Sequence, residues 1–167
     1  FFFFKQKTAY EIVDCDWSSD VCSSDLRQYL ANSVVLANTS HGFHWNVEGP
    51  LFSEYHELFG EYYEDVDGTI DTIAEWMRAF DVQAPYTLQQ FMDAQNIGET
   101  LTSSNSPIVM TRMLLILNDK FIEDLKMLFD SATELKEQGL ANFFADRITV
   151  HEKYGWKFRS SIKQTIN

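Results

Sequence analysis

The sequence predicts an all-α protein, a four-helix bundle with a long crossover between helices two and three that contains a short helix. Three observations predict it. Apolar residues recur at spacings of three and four along four long stretches, and the alternation expected of half-buried strands is nearly absent. Two of the three joints between those stretches are only a few residues long, which makes two antiparallel hairpins. The remaining joint, Asp81 to Ser106, has 26 residues, long for a structureless loop and suited to a run along the whole bundle.

The elements follow in order. From about Asp25 to Val47, the residues Leu30, Val34, Ala37, His41 and His44 fall on one helical stripe. Gly49 and Pro50 break that pattern, Gly suited to ending a helix and Pro to opening one. The second helix runs to about Phe80 through Tyr55, Leu58, Phe59, Tyr62, Val66, Ile70, Ile73 and Met77. In the crossover, Thr87 to Met92 suits a short helix, and the crossover sets helices two and three parallel. The third helix spans about Pro107 to Gln138, through Met110, Met113, Leu117, Phe121, Leu125, Leu128, Ala132 and Leu135, with Gly139 ending it. The fourth covers about Leu140 to Lys163 and aligns Phe144, Ile148, His151, Gly155, Phe158 and Ile162.

With 167 residues, 45% of them hydrophobic, the chain has one domain's worth of core. Its net charge of -12 argues against a general electrostatic grip on nucleic acid or anionic lipid. No apolar run approaches the length of a membrane span. Residues 1–26 differ in character from the rest: they hold both cysteines and the near-duplicates Trp17-Ser18-Ser19-Asp20 and Cys22-Ser23-Ser24-Asp25. We set them aside as a non-native segment resembling translated sequencing-adapter read-through, and place the domain at 27–167. Lys5 and Lys7 stand against Glu11, Asp14, Asp16, Asp20 and Asp25, so the segment carries -3 of the -12. The domain then has no cysteine, which suits a reducing cytoplasm and excludes a thiol nucleophile.

Two groups of residues suggest metal chemistry. Asp67, Asp71 and Glu75 are spaced four apart, so their carboxylates step only ~40° around the helix and ~6 Å along it. Like charges so placed repel, and a cation would relieve them. His44 ends helix one and His56 opens helix two on either side of a tight turn, which sets them at one level of the hairpin. His41 and His151 read as core or supporting residues. A distance then constrains the arrangement: His56 and Asp71 share a helix and lie ~22 Å apart along it, so no single ion touches both within one chain. Either they are unrelated, or the site forms between two subunits. A two-fold axis crossing helix two near Tyr63 would set His56 of one chain beside Asp71 and Glu75 of the other, and would build the site twice. Mixed imidazole and carboxylate ligation suits iron and other first-row divalent metals.

The stretch His44-Trp45-Asn46-Val47-Glu48-Gly49-Pro50-Leu51-Phe52, then His56-Glu57-Leu58-Phe59, then Asp71-Thr72-Ile73-Ala74-Glu75, resembles the Dps family of mini-ferritins. The resemblance covers about residues 27–163, including Asp146-Arg147-Ile148 and His151 through Trp156. It implies a ferritin-like bundle in a cytoplasmic homo-oligomer, a hollow dodecamer. Such cages oxidise Fe(II) with hydrogen peroxide or oxygen, store the ferric product and protect against oxidative damage. His44 and His56 would be iron ligands from one subunit, Asp71 and Glu75 ligands from its two-fold neighbour, and Trp45 a supporting neighbour of the site. One position departs from the family: the acid expected one turn after the second histidine is Gly60. Under the two-fold pairing Asp67 of the partner meets position 60 and is the candidate replacement. DNA binding is expected to be weak or absent, and no membrane contact is expected. The alternative is a nucleoid-associated DNA-binding protein with vestigial metal sites. A symmetric di-iron enzyme would need two Glu-x-x-His pairs, and the sequence has none.

Overall fold

Helices form where the three-and-four periodicity puts them: α1 (Asp20–Asn46), α2 (Phe52–Ala79), the short α3 (Leu88–Ala94), α4 (Pro107–Glu134) and α5 (Gln138–Lys163). The computed structural model describes residues 20–98, 102 and 104–163, and no strand occurs among the described residues. Residues 1–19 of the segment set aside above lie outside the described residues. Asp20–Leu26 form the first turns of α1, and Leu26 is buried.

The α1–α2 and α4–α5 hairpins pack face to face around Tyr29, Leu36, Phe59, Tyr62, Phe121, Phe144 and Phe158, all at most 2% exposed. α1 is buried over more of its surface than a single stripe. Tyr29, Ser33, Leu36, Ser40 and Phe43 face the core, while Val34 and His41 are only half-buried at its flank. The buried hydroxyls are satisfied locally: Ser33 donates to the Tyr29 carbonyl (2.8 Å) and Ser40 to that of Leu36 (2.7 Å). The end of the crossover is tied to the α1–α2 turn, where Glu48 N–H donates to the Asn105 carbonyl (2.9 Å). Since α2 and α4 therefore begin at the same end of the molecule, they run parallel.

Local chemistry sets the boundaries. Thr87 accepts from Gln90 N–H (3.2 Å) while the Gln90 side chain accepts from Thr87 N–H (3.1 Å), a capping box that starts α3. Asn32 of α1 clamps the crossover, accepting from Asn96 N–H (3.0 Å) and donating to the Asn96 and Asp124 side chains (2.9 Å each). At two junctions the structure corrects the sequence reading. Pro50 lies in the turn before α2, whose cap is Leu51 in the left-handed region (φ 59). Likewise α4 stops at Glu134 rather than Gln138. Lys136, not Gly139, takes the left-handed position (φ 63), and Glu137 N–H closes back on the Ala132 carbonyl (2.9 Å). Gly139 serves packing instead: a Cβ there would lie 3.1 Å from the Trp76 ring.

A buried polar network crosses the bundle centre. His151 Nδ1–H and the Tyr62 hydroxyl both donate to Asn118 Oδ1 (2.8 and 3.1 Å), and Asn118 Nδ2 donates to the His151 carbonyl (3.0 Å). Arg147 donates to His151 Nε2 (3.1 Å) and forks onto the Asp65 carboxylate (3.1 and 2.5 Å). These bonds fix His151 as the neutral Nδ1–H tautomer. Burial, reinforced by the Arg147 charge, pushes its pKa well below the usual histidine range. Below about pH 6.5 the unfolded chain binds a proton that folded His151 refuses. Stability from this group is therefore complete above that pH and declines as the pH falls. His151→Gln should lose less melting temperature than the parent between about pH 7 and pH 5, and an unchanged acid slope would place the sensitivity elsewhere.

Candidate metal centre

The α1–α2 turn is built to bring two imidazoles together. Gly49 adopts φ +118 and Leu51 φ 59, which reverses the chain within the few residues available. His44 in the last turn of α1 and His56 near the start of α2 then stack, ring centroids 3.7 Å apart and planes at 22°. Each Nδ1 faces the other residue's carbonyl, His44 Nδ1 to His56 O at 2.7 Å and His56 Nδ1 to His44 O at 2.8 Å. A carbonyl oxygen can only accept, so both Nδ1 atoms carry hydrogen. Neutral rings held this way present both Nε2 lone pairs as ligands, with orientation fixed by the reciprocal bonds. The His44 carbonyl belongs to the last turn of α1 and needs such a donor.

Gly60 explains how the rings fit. A Cβ at this position would lie 3.2 Å from both Cε1 and Nδ1 of His44. The residue that departs from the acidic pattern is therefore the one that gives the imidazole its space. Aromatic rings enclose the pair. Phe52 stacks on His56 at 5.1 Å, Tyr63 meets His44 edge-on at 5.4 Å, and His41 lies between Tyr63 (4.0 Å, stacked) and Trp45 (4.1 Å). Tyr63 also donates a hydrogen bond to Glu64 (3.2 Å). Trp45, Leu51 and Phe52 form an exposed apolar rim beside the histidines.

Of the residues singled out from sequence, one subunit brings together His44 and His56 and does not bring the acids to them. Asp67, Asp71 and Glu75 are exposed on α2, ~16, ~22 and ~28 Å along the helix from His56. Among the described residues, no three His, Cys, Asp or Glu side chains gather where one ion could be held. His151 belongs to the core network, and His41 to the aromatic stack. Sequence reasoning gave Tyr63 no chemical role. The available signal was its spacing, seven residues after His56, which puts both on one face of α2.

A family model described as a ferritin-like domain matches residues 24–166. Helices, crossover and matched stretch together define a ferritin-like helical bundle. The DNA protection during starvation protein of Brevibacillus brevis is 31% identical over 140 residues, covering 83% of this chain and 92% of that protein. A crystal structure of a Dps protein from Bacillus brevis superposes with a TM-score of 0.80 at 30% identity, covering 85% of this chain and 95% of that one. A Dps protein from Vibrio cholerae, described as a member of a broad superfamily of ferritin-like diiron-carboxylate proteins, gives 0.79 at 25% identity, covering 84% and 87%. The chain belongs to the Dps mini-ferritin family.

The contact at Gly60 can be tested directly. Gly60→Ala pushes a methyl into the His44 ring, and overpacking of this kind costs about 1–3 kcal/mol. The variant should fold, melt earlier and bind a spectroscopic probe such as Co(II) more weakly at the His44–His56 pair. Unchanged Co(II) affinity would mean that the ring's position does not depend on this glycine.

Proposed function

We propose that this protein is an iron-oxidising, iron-storing mini-ferritin whose metal sites are shared between two-fold-related subunits of a cage. The observation that carries the proposal is the reciprocal hydrogen bonding of His44 and His56, which prepares two Nε2 ligands on one subunit and no more. Fe(II) is the substrate. His44 and His56 bind it, and Asp71 and Glu75 of the neighbouring subunit complete the site, with Asp67 taking the place of the acid missing at Gly60. An axis crossing α2 between Tyr63 and Glu64 pairs position 56 with 71 and position 60 with 67 at once. Burying the rim of Trp45, Leu51 and Phe52 in the same contact removes it from water, and carboxylates favour the ferric product.

The chemistry removes Fe(II) and peroxide together, because two electrons reduce the peroxide to water without releasing hydroxyl radical. The protective role in the name of the Brevibacillus relative is compatible with that route and needs no grip on DNA. With a net charge of -12, weak or absent DNA binding is the expected behaviour.

Complementation tests the shared site. His56→Ala and Asp71→Ala homo-oligomers should each oxidise Fe(II) poorly. Dissociating and reassembling the two together creates interfaces in which both lesions fall in one site and leave the other intact, so part of the activity should return. A site within one chain could not be repaired this way. No recovery in verified mixed cages would refute the shared geometry.

A further inference from the structure

We propose that Tyr63 is an internal electron donor to the iron site, supplying the second electron that peroxide needs when only one Fe(II) is held. The inference rests on the iron-oxidising function proposed above and adds a participant to it. Gly60 brings no carboxylate, and its α-carbon backs directly onto the His44 ring. The subunit that supplies the histidines therefore brings no acid of its own for a second iron, whose binding rests wholly on Asp67 of the neighbouring subunit, and until that position fills one Fe(II) is held alone. Hydrogen peroxide takes two electrons to become water, and one Fe(II) gives one.

Tyr63 is placed for the other. Its ring meets the edge of His44 at 5.4 Å and stacks on His41 at 4.0 Å, and His41 in turn lies 4.1 Å from Trp45. A continuous aromatic path thus runs from a ligand imidazole through Tyr63 to the surface. A phenol loses its proton when oxidised, and the Tyr63 hydroxyl already donates to Glu64 Oε1 (3.2 Å). The neighbouring tyrosine differs: Tyr62 points into the core and donates to Asn118. Trp45 is 66% exposed and lies beyond His41 on the path.

The step balances as follows. Fe(II) gives one electron and becomes Fe(III). Tyr63 gives the second electron, its hydroxyl proton passes to Glu64, and a neutral phenoxyl radical remains. The O–O bond of the peroxide breaks, and with that proton and one from solvent both oxygens leave as water. A later Fe(II), with one proton, returns Tyr63 to the phenol and becomes Fe(III).

The test uses the assembled full chain, loaded without oxygen with one Fe(II) per site and mixed with one equivalent of hydrogen peroxide. Ferric absorbance and freeze-quench electron paramagnetic resonance are followed together. A tyrosyl signal should appear with the ferric absorbance and narrow when the protein carries ring-deuterated tyrosine. In Tyr63→Phe that signal should be lost and peroxide consumed per iron should halve, while Tyr63→Trp should restore a radical of tryptophan character. Ferric absorbance with no radical in the parent protein would overturn the role of Tyr63. So would a signal unchanged in Tyr63→Phe, or one abolished only by Trp45→Phe. Absence of ferric absorbance altogether would instead refute the iron-oxidising function, and the inference with it.

Discussion

Two imidazoles that each donate to the other's backbone carbonyl organise the α1–α2 end of this molecule. The arrangement needs the helix termini at one level, which the α1–α2 turn provides through backbone at positive φ. It needs a residue without a side chain under the His44 ring, which Gly60 provides. It also engages both Nδ1 hydrogens, so that Nε2 is the ring nitrogen each histidine has left for another partner. The apolar rim and the aromatic stack are arranged around this pair, whose position is set by backbone geometry.

The bundle centre is committed to a different use. A ferritin-type di-iron centre inside the four helices would need inward carboxylates to offset two cations. Here the centre holds the Arg147 guanidinium, forked onto Asp65 and bonded to His151, with Tyr62 and Asn118 completing the set. Asp65, the carboxylate of this set, is already bound to the guanidinium and is not available to a cation. The network also ties α2, α4 and α5 across the two hairpins. Further contacts from α5 join it, Lys157 to Glu61 at 2.7 Å and the Tyr154 hydroxyl to the Glu61 carbonyl at 3.0 Å. Stability is thereby drawn from the interior, and the candidate ligands His44 and His56 lie half-buried outside this network.

How much of this was legible in the sequence depends on how local each signal is. The inward faces of α2, α4 and α5 were readable because burial there follows one helical stripe, as Tyr62, Val66, Leu117 and Phe144 illustrate. α1 was read only in part: Leu30 and Ala37 of its stripe are buried, but burial extends to Tyr29, Ser33, Leu36 and Ser40 on other sides of the helix, which one apolar stripe did not mark. The end of α4 was misread because a glycine in the right region is usually the turn residue, and here Lys136 carries the strained conformation while Gly139 makes room for Trp76. The His44–His56 pairing was legible from twelve residues of spacing across a short turn. The reason for Gly60 was not, since it depends on a ring arriving from another helix. Tyr63 was overlooked for the same reason: its partners His41 and His44 come from α1.

The placement of the acids gives the proposed shared site a physical rationale beyond family likeness. On one subunit Asp67, Asp71 and Glu75 are an exposed ladder of like charges, each pair mildly repulsive and well hydrated. The histidines alone supply two neutral ligands, too few to hold Fe(II) against water. Neither half is a strong site, so an unassembled subunit would leave iron and peroxide to react in solution. A two-fold contact changes both terms together, because cation binding relieves the ladder and the partner's imidazoles replace water. Competence for oxidation would then be a property of the interface, and chemistry that generates oxidising equivalents would be confined to places where an aromatic cluster already surrounds it.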